Sequence, residues 1–140
     1  AIDYRGFVGP EELHQVLQEF DIGIITHGFT GGYGAIEYRT IFPTRTIPFL
    51  LSGKPMLVHS PPGSFLNDFI TENKCAALID QPSEAAIIEG LERISNNRQY
   101  QEQLVAASQE TARQFHGKAV VEALRNRLKR TKNIADEIEL

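Results

Sequence analysis

The chain has 140 residues, enough for one domain and hardly two. Its 41% hydrophobic and 23% charged content excludes a disordered, collagen-like or coiled-coil chain. The formal net charge of −4 offers no global basic excess to favour nucleic acid. The longest apolar runs, such as Ile22–Ile25 and Ile47–Leu51, are too short to span a bilayer. A lone Cys75 excludes a disulfide framework and a cysteine-based zinc site, and it fits a reducing compartment. With no leader or targeting signal before Tyr4, the expected location is cytoplasmic.

Tyr4–Val8 is a short aromatic and β-branched run ended by Gly9-Pro10, which predicts a strand and a turn. Glu11–Phe20 sets Leu13, Val16, Leu17 and Phe20 on one face of an amphipathic helix, with Pro10, Glu11 and Glu12 suited to its first turn. Asp21–Thr26 reads as a strand buried on both faces, as in a parallel sheet. His27–Arg39, with Gly28, Gly31, Gly32 and Gly34, reads as a long loop, and loops of that length are usually functional or mobile. Pro43-Thr44 opens a helical stretch over Arg45–Ser52 that Gly53 closes.

Met56–His59 is the next buried strand and Ser60–Ser64 a turn. Phe65–Asn73 has helical spacing, and Ala76–Ile79 is a short strand. Ser83 caps a helix whose inner face is Ile87, Ile88, Leu91 and Ile94. Arg98–Phe115 and Lys118–Lys132 are further helices, and Asn133–Leu140 is a tail expected to fray. Strands alternating with helices predict a Rossmann-like three-layer α/β/α fold on a parallel sheet. One domain over 1–132 and a tail over 133–140 follow.

In such sheets ligands bind at the carboxyl ends of the strands, often against helix N-termini. The helix start near Thr44 offers unpaired N–H groups, the Thr44 hydroxyl and the Arg45 guanidinium, a set suited to a phosphate or pyrophosphate. The plainer reading makes Thr44 a cap and Arg45 a solvated charge. No dinucleotide fingerprint or Walker-type loop is present, so by themselves the glycines describe a surface loop. His27 and His59 follow strands and are placed either to contact a sugar hydroxyl or phosphate or simply as polar surface. The four histidines do not form a metal-ligand spacing. Ser60 and Ser64 lack a nucleophile-elbow pattern, and Cys75 is expected to be buried rather than reactive. Glu37, inside the Gly-rich loop, is the one carboxylate singled out. The C-terminal helix is basic, with Arg125, Arg127, Lys129, Arg130 and Lys132. It reads as a solvated face, or as a contact with an anionic membrane surface or another domain.

Pro43-Thr44-Arg45-Thr46-Ile47-Pro48-Phe49-Leu50-Leu51-Ser52-Gly53-Lys54-Pro55, followed by Met56–Ser60, resembles a stretch of the donor-binding half of GT-B-fold glycosyltransferases. The flanks agree in order: Tyr4–Val8, then Glu11-Glu12-Leu13 with Asp21–Ile24, and late in the chain Arg98–Phe115. The resemblance covers roughly residues 4 to 130. It implies a partial GT-B C-terminal domain with a parallel sheet of about four strands. It further implies a nucleotide-sugar as ligand and transfer of the sugar to an acceptor hydroxyl, the acceptor being a glycan or a lipid-linked group held by a preceding domain.

The resemblance places Thr40, Thr44 and Arg45 against the diphosphate and sugar, Arg45 standing where lysine is common. His27, Gly31, Gly32 and Glu37 would shape the sugar pocket. No metal or cofactor is implied, because positive side chains and helix dipoles stabilise the departing nucleoside diphosphate. Two departures stand out. The family glutamate that holds the ribose falls at Pro48, and its partner glutamate falls at Thr40. The family's donor domain also opens with a further βαβ unit that does not precede Tyr4 here. The expectation is therefore a chain cut through a donor domain, inactive alone and self-associating through an exposed sheet edge. The alternative is a non-catalytic binding or assembly module on a degenerate version of the same fold.

Overall fold

The computed structural model describes residues 3–30 and 34–138. Three strands, β1 (Gly23–Thr26), β2 (Met56–His59) and β3 (Ala77–Ile79), pair in parallel in the order β1-β2-β3. The helices are α1 (Pro10–Gln18), α2 (Ala35–Thr40), α3 (Thr46–Leu51), α4 (Phe65–Asn73), α5 (Glu84–Asn96), α6 (Arg98–Ala112) and α7 (Gly117–Ile138), with a 3-10 turn at Arg113–Phe115 between the last two. The fold is α/β and Rossmann-like, with helices on both faces of a short parallel sheet.

Alternation along the strands divides the core. Ile25, Met56, Val58 and Leu78 meet Leu50 of α3 and Leu66 and Ile70 of α4 on one face. Phe42, Phe69 and Phe115 close that side, with Phe42 and Phe115 stacked at 5.6 Å. Leu57, Ala77 and Ile79 meet Ile94 and Leu91 of α5 and Leu104 of α6 on the other. Two serines cap helices, Ser83 as expected and Ser64 in a segment expected only to turn. Ser64 Oγ accepts from the Asn67 N–H at 3.2 Å, and Ser83 Oγ accepts from the Ala86 N–H at 3.2 Å.

Gly53, at φ +72°, follows α3 in the left-handed region that a side chain would strain. Gly23 lets α3 approach β1: a Cβ there would lie 2.3 Å from a ring carbon of Phe49.

Several expectations are corrected. Tyr4–Val8 is not a strand. Gly6, at φ +73°, interrupts the extended run, and no described strand pairs with it. Tyr4 and Phe7 are 88% and 94% exposed. The sheet accordingly has three described strands rather than about four. β1 is not buried on both faces either, because Ile25 is buried while Ile24 is 48% exposed. The reason is helix coverage: α5 packs across β2 and β3 and stops short of β1. The stretch read as one long loop after β1 contains α2, and α7 runs through Ile138 without a break at 132. None of the described helices is long and apolar enough to cross a membrane.

Candidate functional site

All three strands point their carboxyl ends the same way, so the segments that leave them gather at one edge. At β1 the Arg45 guanidinium donates Nη2–H to the Thr26 carbonyl at 2.7 Å. The contact spans the loop and α2 and ties the start of α3 to the strand end. The next residue, His27, is buried, and its backbone N–H donates to the His59 carbonyl at 2.8 Å. Burial lowers the His27 pKa below its usual 6.5, and the positive charge of Arg45 lowers it further. The imidazole is thus held toward its neutral form beside a fixed cation.

Tyr38 of α2 closes over this pair. Its ring lies 5.1 Å from the His27 ring and its hydroxyl donates to the Gly28 carbonyl at 2.9 Å. Phe29 lies 4.5 Å from the ring of His59, whose Nε2 is 3.0 Å from the Gln81 carbonyl. Between the β1 and β3 exits a cleft of about 390 Å³ is lined by Thr26, His27, Phe29, His59, Ser83 and Glu84, among others. That size suits part of a small ligand.

Other sequence candidates lie apart from this centre or serve local structure. Glu37 Oε2 accepts from the Gly34 N–H at 2.6 Å, so its carboxylate caps α2. Thr40 turns its hydroxyl back onto the Ile36 carbonyl at 2.9 Å within its own helix. Thr44 is exposed, in the turn before α3, and its carbonyl accepts from the Ile47 N–H. α3 is only six residues long, so the macrodipole argument for an anion at its start is weak, and the guanidinium of Arg45 is the main cationic feature there. Pro48 sits in the first turn of α3, where its missing N–H is tolerated. Gly31 and Gly32 lie outside the described residues. Thr46, fully buried, has no hydrogen-bond partner for Oγ1 among the described residues.

Ser60 and Ser64 are structural. Their hydroxyls lie 2.8 Å apart in the core, and Asn67 Nδ2 donates to the Ser60 carbonyl at 3.2 Å. Cys75 is buried, which raises its thiol pKa, and its carbonyl accepts from Ser108 Oγ at 2.6 Å.

Sequence reading alone does not reach four contributors. Tyr38 and Phe29 lie in the stretch expected to be a functional loop, where only its glycines, His27 and Glu37 stand out, although Gly34 followed by Glu37 three residues later is a helix-start signal. Ser83 is expected only as a helix cap, and Glu84 follows it in the first turn. A parallel β3 that feeds α5 puts that start on the same edge as His27.

The site defines a class only coarsely: a Rossmann-like α/β protein with a histidine–arginine pair at the strand exits. The chain matches no protein-family model and no curated protein.

Proposed function

We propose that the chain is the nucleotide-sugar-binding, C-terminal part of a glycosyltransferase that moves a sugar to an acceptor hydroxyl. The observation that carries the reading is Arg45. It sits in the block that resembles the donor-binding stretch of GT-B enzymes, and its guanidinium lies at the carboxyl end of β1 beside His27. One N–H is engaged by the Thr26 carbonyl, and the remaining guanidinium N–H groups are left to fork onto the oxygens of a diphosphate. A near-neutral His27 adds a polar contact for a sugar hydroxyl without repelling Arg45. The cleft toward Ser83 and Glu84 extends the same edge for the rest of the donor. In this reading the acceptor, a glycan or lipid-linked group, is held elsewhere, and the chain by itself binds the donor without turnover.

A second reading, a non-catalytic binding module, draws on Glu37 and Thr40. The groups nearest to the family's ribose-holding positions are engaged within α2 and its cap, and Pro48 has no acceptor. Titration calorimetry with uridine and guanosine diphosphates separates the two. Saturation at submillimolar to millimolar ligand, weakened about tenfold or more in Arg45→Ala, supports the donor site, since one charged hydrogen-bonding group contributes on the order of 1.5–3 kcal/mol. Absence of binding to millimolar ligand supports the module.

A further inference from the structure

α7 departs from every other long helix in the molecule. It packs on the rest of the protein through the 3-10 turn at Arg113–Phe115, and every side chain described from Gly117 to Lys129 is exposed. Yet it is strongly two-sided. Val120, Val121, Leu124 and Leu128 share one face and are 49%, 47%, 56% and 62% exposed. On helical spacing, Lys118, Arg125 and Lys129 run along one flank of that stripe and Arg127 lies on the other. Within 117–129 these four cations face a single carboxylate, Glu122, in a chain whose formal net charge is −4. Positive charge is therefore concentrated beside the uncovered apolar stripe.

We infer that α7 is a docking helix for an anionic lipid surface. It would lie in the plane of the interface with Leu124 and Leu128 inserted and the basic flanks among the headgroups. Lysine and arginine stems extend along the apolar surface while their charged ends reach phosphate, which is the arrangement such helices use. The charge pattern selects this occupant over a second copy of the chain. Gly117, Val121, Leu124 and Leu128 follow the alternating four-and-three spacing of a coiled-coil seam. The positions flanking that seam are Lys118, Val120, Arg125 and Arg127, so no pairing of two such seams sets opposite charges together. An anionic bilayer instead meets both flanks with the complementary sign.

Vesicle flotation of the whole chain tests this. One set of vesicles is phosphatidylcholine alone, and the other is equal parts phosphatidylcholine and phosphatidylglycerol. The chain is expected to float with the anionic vesicles at low salt, to be released as salt rises, and to stay behind with the neutral ones. Arg125→Gln with Lys129→Gln should lower the partition about tenfold or more, and Leu124→Glu with Leu128→Glu should abolish it, with far-UV circular dichroism confirming that each variant folds. The salt series on the unaltered chain holds whether or not a variant folds. Equal flotation with both vesicle types, no flotation with either, or variants that bind like the unaltered chain would overturn the inference. So would a dimer in sedimentation equilibrium that Leu124→Glu dissolves, which would assign the face to a second copy.

Discussion

α5 and α7 both carry apolar residues at helical spacing, and they meet opposite fates. In α5 Leu91 and Ile94 pack with Leu57 and Ile79, and Ile94 is fully buried, although Ile88, expected on the same inner face, is 49% exposed. In α7 the stripe of Val121, Leu124 and Leu128 stays half exposed along its length. Periodicity specifies a face in both helices, but a face becomes core only where the topology brings another apolar surface within reach. α5 follows β3 and folds directly back over the sheet. α7 follows the 3-10 turn, packs on the protein mainly through it, and leaves its stripe half exposed.

The largest expected effect sharpens that contrast. Ile94→Ala should cost about 2–5 kcal/mol of unfolding free energy in a urea titration, because it opens a cavity between α5 and the sheet. Leu124→Ala should stay within about 0.5 kcal/mol, since more than half of this side chain is in solvent and it belongs to no core cluster. A comparable loss at both sites would mean that α7 packs on something in solution, and the contrast would fail.

The buried half of the molecule should also respond to pH. The His27 pKa is lowered in the folded state, so the unfolded chain takes up this proton first as pH falls. Stability is then complete above the unfolded value of about 6.5 and declines as pH drops through it toward the folded value. Denaturant midpoints followed from pH 8 to pH 5 should show this decline, and His27→Gln should flatten it. An unchanged slope in His27→Gln would remove His27 from the packed edge.

The smallest effect concerns Thr46. Its hydroxyl is buried without a described partner, so the isosteric Thr46→Val should be neutral or stabilising by up to about 1 kcal/mol. A loss above that range would indicate that the hydroxyl holds a bond in solution.

Some of this was legible beforehand. Met56–His59, Phe65–Asn73 and the helix from Glu84 stand where apolar runs, helical spacing and the Ser83 cap put them, and Gly53 closes α3 as expected. Each of those signals is local. Tyr4–Val8 has equally good strand composition and remains unpaired, because a strand needs a neighbour that composition does not supply. For β1 the run Ile22–Ile25 pointed to burial on both faces, and the reach of α5 settled it at one. At the candidate site, the strand exits single out His27 and His59, and the helix start near Thr44 singles out Arg45. Tyr38 and Phe29 escaped notice because their value lies in ring contacts between segments distant in sequence.

By itself the sequence determined the α/β class, the parallel strands β2 and β3, the capped helices and the amphipathic character of α7. These follow from side-chain periodicity and short-range hydrogen bonding. Tertiary structure decided that β1 has one open face, that Arg45 reaches the end of β1 and that the stripe on α7 is left uncovered. Those outcomes depend on which surfaces meet in space, and pairing between distant segments is the information that local pattern does not carry.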